Sequence, residues 1–553
     1  MSQSKDPARN LHWADIHADR IVREKGPLGI SGGRAGAPAG APAAGGTEKN
    51  HYTCASGITP SGTVHIGNFR EIISVELVTR ALRQKGHAVR FIYSWDDYDV
   101  FRKVPKDLPD AAAFEKYLRY PITLVPDPAG EHESFARANE AAVEALLPEV
   151  GIKPVYIYQA ERYRNSHYAE GIRRALAHRD TIREILDRHR TEPLPPGWWP
   201  VTVFSTFTDK DTTTVLGWDG EYGLTYRCEE TGNEETLDLR NTGAVKLLWR
   251  VDWPMRWAAE GVDFEPAGKD HHSEGGSFDT GALIARNVYG VEPPVSFQYD
   301  FISIKGRGGK LSSSAGEVVG LAEVLEVYQP EVVRYLFAGT RPNTEFSISF
   351  DLDVIKIYED YDKTERVYFG VQQVGEKKRA KESRIYELSQ VGEIPESMPV
   401  QLPFRHLCNL LLIHAGDIDS AIAAFPGTEN AEAADRRRMR RRARCAWNWI
   451  NTFAPEDFRF TLRTGEEEPI AVGDAERAAL RAVREEVASE RFAAEERALE
   501  QVLYEVAQAH GFRSKEFFAL LYRVLIGKEH GPRLAGFMQT IGRERVLRIL
   551  DNY

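Results

Sequence analysis

Two apolar periods alternate along the first two-thirds of the chain. From His51 onward, short runs rich in β-branched and aromatic residues recur at 52–55 (YTCA), 89–94 (VRFIYS) and 154–159 (PVYIYQ). Between them, apolar residues return at helical spacing over Phe69 to Gln84, Ser134 to Leu147 and Asn165 to His189. This alternation predicts β-α-β units and an α/β fold: a parallel sheet with helices on both faces. Ligands of such sheets sit at the carboxyl ends of the strands. Residues 193–242 break the rhythm with a Pro/Gly/Trp turn, a Thr-rich stretch and hairpin-like pieces, and read as an insertion. The α/β pattern resumes at Val262 and ends near Phe350; from there to Tyr553 the period is helical. At the other end, Leu11 to Lys25 reads as an amphipathic helix. Gly26 to Gly46, rich in Gly, Ala and Pro, reads as a flexible linker or disordered insertion. The expected division is therefore 1–50, an α/β region over 51–350 and a helical region over 351–553.

Composition narrows the class. A chain of 553 residues with 42% hydrophobic and 28% charged residues can build a sizeable core, over roughly three or four domains. No run approaches the roughly 18 apolar residues that span a bilayer, and the first residues are polar and mixed in charge. Cys54, Cys228, Cys408 and Cys445 are scattered, as reduced thiols of a cytoplasmic protein would be. The net charge of −11 excludes a chain that is basic all over; an RNA partner would need a local patch.

Three segments carry candidate chemistry. Ser56 to Asn68 (SGITPSGTVHIGN) follows a strand and opens a helix, where free N–H groups and the dipole favour phosphate. Gly57 and Gly62 free the backbone, Pro60 fixes a turn, and His65 and Asn68 share a helix face from which both can donate to an α-phosphate. A helix cap with a surface histidine is the plainer reading of the same residues. Second, FISIKGRGGKLSSSAG follows a strand. Lys310 is a mobile cation for β- and γ-phosphates, Ser312, Ser313 and Ser314 are hydroxyl donors, and a solvated hairpin is the alternative. Third, LLWRVDWPMRWAAEGVDFEPAGKDHHSEGGS (247–277) sets three tryptophans and two arginines around a proline, which is unusual for a loop, and its Gly268-Lys-Asp-His follows the strand-like VDFEPA. A carboxylate there can accept ribose hydroxyls, so Asp270 is a candidate ribose ligand. His271 and His272 are candidates for adenine or an amino acid. Tryptophan packing in a core and an N-cap role for the histidines compete with this.

The first two segments resemble the His-Ile-Gly-His and Lys-Met-Ser-Lys-Ser signatures of class I aminoacyl-tRNA synthetases. Taken with WRVDWPMRW, EPAGKDH, GGSFDTG and the terminal GKEHGPRLAGFMQTIG, they resemble the class I lysyl-tRNA synthetase family, from about His51 to the C-terminus. The resemblance implies a Rossmann catalytic domain, an all-α tRNA-binding region, ATP with Mg²⁺, and lysine as substrate. A ligase for another amino acid and a noncatalytic tRNA-binding paralogue are the rivals.

On this reading ATP lies against Pro60, Gly62, His65, Gly67, Asn68, Gly268, Asp270, Lys310 and Ser312 to Ser314, with His65, Asn68 and Lys310 acting in catalysis. The lysine pocket is expected from Gly57 and Thr59 for the α-amino group, Trp249 or Trp253 with Tyr299 as walls, His271, and Asp96 of SWDDYD for an ammonium. Turn capping or a salt bridge to Arg102 and Lys103 is the other reading of Asp96 and Asp97.

The chain departs from the family pattern in two places. The insertion keeps one cysteine, Cys228, where many relatives carry paired CxxC motifs, so zinc is expected to be absent; one thiol cannot build a tetrahedral cysteine site. Asp127, Glu131 and His132 are a second possible metal site lacking an evident fourth ligand. In the signature loop Ser313 and Ala315 stand where relatives carry lysine, which leaves more to Lys310, with Lys305 or Arg307 as candidates to compensate. Arg437, Arg440 and Arg441 of DRRRMRRRARCAWNW are the expected tRNA contacts, a solvated face being the alternative. EKKRAKESR (376–384) is a second basic segment. No membrane partner is expected, and the chain is expected to be a monomer.

Overall fold

The computed structural model describes residues 12–29, 49–105, 108, 110–305, 319–493 and 495–553. Lys310 and Ser312 to Ser314 lie outside the described residues, as does most of the Gly/Ala/Pro-rich segment. The chain forms two compact units: Met1–Val324 with Pro330–Ile348 and Gly370–Ile394, and Leu325–Gln329 with Ser349–Phe369 and Pro395–Tyr553.

The first unit is built on a parallel sheet. Strands β1 (Tyr52–Ile58), β2 (Val89–Trp95) and β3 (Val155–Tyr158) lie in that order, Cys54 opposite Phe91 and Ile92 opposite Val155. On the other side of β1, parallel bridges join Cys54 to Phe264 and Phe264 to Val295. The chain thus winds outward from β1 in both directions, and the order reverses beside it. In doubly wound sheets this reversal opens a crevice at the strand ends.

Helix α2 (Ile66–Gln84) follows β1 and is buried on most sides: Ile66, Phe69, Ile72, Ile73, Val75, Leu77, Val78 and Leu82 are all covered. Each such side chain contributes about 1.5–3 kcal/mol, so this burial, more than helix propensity, fixes α2 in place. Helix α1 (Trp13–Lys25) starts where the ring of His12 accepts the Ala14 N–H at 3.1 Å. It is anchored by Asp15, whose two oxygens each accept from Arg384 at 2.8 Å in a buried pair. Arg384, from the second basic segment, is therefore turned inward.

The interruption of the α/β rhythm is a strand pair, β4 (Val201–Val203) with β8 (Val245–Leu247). It brackets an antiparallel meander of β5 (Thr213–Trp218), β6 (Gly223–Cys228) and β7 (Glu234–Asp238). Short parallel strands β9 (Ala267–Gly268) and β10 (Gln298–Tyr299) then pair, and β11 (Ile302–Lys305) leads to the signature loop.

The tryptophan segment is a helix, Trp249–Glu260. Pro254 sits inside it, lacking the N–H that would bond to Arg250. The helix survives that loss, which costs about 3 kcal/mol, because Trp253, Met255 and Trp257 are buried beneath it.

The second unit is helical after the short strand β12 (Phe346–Ser349) that precedes it. Its helix Ala433–Thr452 buries Trp449, whose indole donates to the Phe350 carbonyl at 2.9 Å. No described helix is long and apolar enough to cross a membrane.

Candidate active site

A cleft of about 680 Å³ opens where the strand order reverses, bounded by the ends of β1 and β2, the start of α2, and the residues after β9 and β10. Gly57, Thr59, His65, Gly67, Asn68, Asp96, Trp249, Gly268, Asp270, His271 and Tyr299, singled out in the sequence, all line it. Pro60 and Gly62 make the bend between β1 and α2 and do not line it; the Pro60 carbonyl accepts from Asn139 at 3.3 Å.

Two glycines make this geometry possible. A side chain at Gly57 would lie 2.7 Å from the Ser94 carbonyl oxygen, so only glycine lets β1 end this close to β2. A Cβ at Gly67 would lie 2.8 Å from the His65 ring, which folds back over the start of α2. No side chain caps α2, so its positive end faces the cleft. Burial pushes the His65 imidazole below its ordinary range, which keeps it neutral. The described residues on either side of the signature segment are tied to this helix. Ile66 donates to the Val319 carbonyl at 2.9 Å and His65 bridges Gly320. On the other flank, the Arg70 guanidinium holds the carbonyls of Asp300 at 2.7 Å and Phe301 at 3.0 Å, and also those of Arg341, Pro342 and Thr344.

The carboxylates of the cleft differ in what neutralises them. Asp96 is held by Arg256, a buried guanidinium from the tryptophan helix that also lies 3.4 Å from Asp252. Asp96 thus lines the cleft with its carboxylate paired to Arg256, and not to Arg102 or Lys103. Asp97 takes the Ala160 N–H at 2.8 Å and is a turn anchor. Asp99 pairs with Lys246 at 2.7 Å, Asp270 lies 3.9 Å from His271, and Asp300 lies 3.9 Å from Lys269.

Glu71 remains. It accepts from the Ser56 hydroxyl at 2.8 Å, the Gly57 N–H at 3.2 Å and the Tyr299 hydroxyl at 2.5 Å. Among the described residues no cationic side chain pairs with it. Burial pushes its carboxyl up, and these three donors pull the other way. Sequence reasoning missed Glu71, although it stands three residues after Asn68, on the same face of α2.

Trp249 and Trp253 do not share a role. Trp249 is 37% exposed and faces the cleft, whereas Trp253 is 6% exposed and stacks behind it at 5.1 Å with rings 16° apart. Trp253 thus stiffens the wall and does not form it. His271 faces the cleft with Nδ1 2.6 Å from the Ser277 hydroxyl; His272 turns away to Ser296 at 3.0 Å. Asp270 projects its carboxylate, 70% exposed, at the end of β9.

Outside the cleft, Asp127 closes a turn by accepting the N–H groups of Ala129, Glu131 and His132, so its carboxylate is occupied by backbone. Among the described residues no three His, Cys, Asp or Glu side chains cluster as metal ligands. Cys228 is buried at the end of β6. Burial opposes its ionisation, yet donors from Ser205, Thr231 and the Glu230 amide bring the thiol down to about 6.

In the second unit the arginine run splits by helix face. Arg442 is buried on Asp362 at 2.5 Å and Arg438 pairs with Glu365 at 2.7 Å, while Arg437 and Arg440 are exposed and Arg441 is half-buried. Arg440 reaches Asp419 at 2.9 Å on the surface.

A parallel sheet with an uncapped helix end opening on a cleft at its strand ends fits the fold of a class I tRNA synthetase. The family model described as tRNA synthetases class I (K) matches residues 39–392, and that of the anticodon binding domain matches residues 459–553. The chain is 52% identical over 550 residues to a lysine–tRNA ligase of Treponema pallidum, covering 99% of each chain. It is 49% identical over 545 residues to that of Borreliella burgdorferi (99% of this chain, 100% of the relative) and 42% identical over 550 residues to that of Pyrococcus horikoshii (98% and 99%). The chain belongs to the class I lysine–tRNA ligase family.

Proposed function

We propose that the cleft joins lysine to ATP, and that the resulting lysyl-adenylate passes its lysine to the 3′ end of a lysine-accepting tRNA. The observation that carries lysine is Glu71. Asp96, Asp99 and Asp300 each have an arginine or lysine within ion-pairing reach and Asp270 is exposed; buried Glu71 has hydrogen-bond donors and, among the described residues, no arginine or lysine in such reach. A buried carboxylate without a cation is costly unless the ligand brings one, and the ε-ammonium of lysine is such a cation. Trp249 offers a flat apolar wall for the methylenes.

In this reading the lysine carboxylate attacks the α-phosphate in line and pyrophosphate leaves. The terminal ribose hydroxyl of the tRNA then attacks the adenylate carbonyl, forming the ester and releasing AMP and a proton. The protein positions the reactants and stabilises charge. Neutral His65, Asn68 and the open end of α2 face the α-phosphate; Asp270 takes the ribose; Lys310 and Ser312 to Ser314 take the outer phosphates. Mg²⁺ accompanies the triphosphate, since this ion binds mainly through substrate phosphates and water. We assign these steps to the α/β region and tRNA binding to the helical region, with Arg437, Arg440 and Arg441 on phosphates.

The test is amino-acid-dependent ATP–pyrophosphate exchange, run over all amino acids with and without tRNA. Lysine alone should support exchange. Exchange driven by another amino acid, or none in the presence of tRNA, sinks the reading.

A further inference from the structure

The cleft contains a charged pair that the proposed chemistry leaves unused. Lys246, on β8 at the base of the insertion, places Nζ 2.7 Å from Asp99 Oδ1, with its side chain only 8% exposed. The other oxygen, Asp99 Oδ2, accepts the hydroxyl of Thr59 at 2.9 Å. Thr59 stands just past the end of β1, and all three residues line the cleft.

A hydroxyl has one hydrogen. With it given to Asp99, Thr59 shows the cleft lone pairs only. It can then accept from an ammonium group, and it cannot donate to a carboxylate. Lys246 keeps the buried Asp99 ionised, so the hydroxyl has a strong acceptor to point at.

We propose that Asp99 and Lys246 are positioning residues that orient the Thr59 hydroxyl to receive the α-ammonium of the substrate and thereby set which way round lysine enters. This rests on the reading of the cleft as a lysine site. It adds a link from a strand of the insertion to the amino-acid end of that site.

In Asp99→Asn, the new amide N–H can face Thr59 and turn the hydroxyl hydrogen into the cleft, against an ammonium. The experiment is calorimetric titration of the full-length chain with two probes, lysine and ε-aminocaproate. The second keeps the ε-ammonium and the carboxylate and lacks the α-amino group. Asp99→Asn and Lys246→Met should each weaken lysine binding by about tenfold to a hundredfold. Binding of ε-aminocaproate should change less than about twofold, because that ligand never uses the relay. The KM for ATP in pyrophosphate exchange should stay as in the parent. Thr59→Val should show the same selective loss, and adding Asp99→Asn to it should cost nothing more.

Equal loss for both ligands, including complete loss, would show that the pair only holds the cleft together and would overturn the proposal. Unchanged lysine binding in both variants would overturn it as well. Failure of the parent chain to bind lysine would instead overturn the lysine reading itself, so the two failures are distinguishable.

Discussion

The Tyr299 hydroxyl donates to Glu71 Oε2 at 2.5 Å, joining a residue of α2 to one of β10 across the cleft. Only tertiary structure brings the two together, and their contact fixes one lone pair of the carboxylate while leaving its charge uncompensated. Glu71→Gln keeps the shape and removes the charge. We expect it to raise the KM for lysine by a hundredfold or more, on the order of the 2–5 kcal/mol typical of one partner lost from a buried charge pair. Tyr299→Phe should cost about tenfold. The KM for ATP should move far less in both. Steady-state exchange kinetics over both substrates provides the check, and an unchanged lysine KM in Glu71→Gln would place the ε-ammonium elsewhere.

Lys310 lies outside the described residues, but the described flanks of its segment are tied to α2 through Val319 and, by way of Arg70, Phe301. If it neutralises the outer phosphates as pyrophosphate departs, Lys310→Ala should slow adenylate formation by about a hundredfold to a thousandfold. Transfer from preformed lysyl-adenylate to tRNA should be nearly spared. Single-turnover measurements of the two half-reactions decide this. Equal loss in both would assign Lys310 a structural role, and near-normal activation would transfer the phosphate role to Lys305 or Arg307.

Glu265 lies beneath the tryptophan wall and accepts the Trp257 indole N–H at 2.7 Å. Burial, aided by nearby Glu71 and opposed by the indole donors, pushes its carboxyl up to about 7 from an ordinary 4.5. Between these values the folded chain holds a proton that the unfolded chain has released. Its contribution is therefore most favourable below pH 4.5 and is lost as pH rises toward 7. The loss amounts to about 3 kcal/mol. Glu265→Gln keeps an acceptor for Trp257 and cannot ionise. It should be more stable than the parent by about that amount at about pH 8, and equal to it near pH 4. Urea unfolding of parent and variant across this range tests it; a difference that does not vary with pH would refute the buried charge.

The arginine run offers a contrast within one helix. Arg437→Ala with Arg440→Ala should weaken tRNA binding and reduce the log–log salt slope by about one per lost phosphate contact. Stability should hardly change, because both side chains are exposed. Arg442→Ala should do the opposite in stability. It leaves Asp362 buried without its partner, at a cost of about 3–5 kcal/mol. Filter binding at several salt concentrations, with thermal melts beside it, separates the two faces. Unaltered tRNA affinity in the exposed pair would remove these residues from the interface.

The sequence by itself determined the class of fold and which residues open α2 onto the cleft. The period of apolar residues marked the β-α-β units, and glycines with His65 and Asn68 marked the start of α2, because these signals are local. They reside in spacing along one strand or one helix. Local signals left the tryptophan segment unassigned; burial of Trp253 and Trp257 keeps it helical despite Pro254.

The partners of charges were decided by the tertiary structure alone. Asp96 was drawn to Arg256, 160 residues away, and Asp99 to Lys246, 147 residues away. Nothing in the spacing of either segment announces those pairs. Yet they determine that Asp96 and Asp99 are paired with buried cations, whereas Glu71, among the described residues, has no arginine or lysine partner. A carboxylate's role depends on which cation lies within a few ångströms, and that is a property of the folded chain.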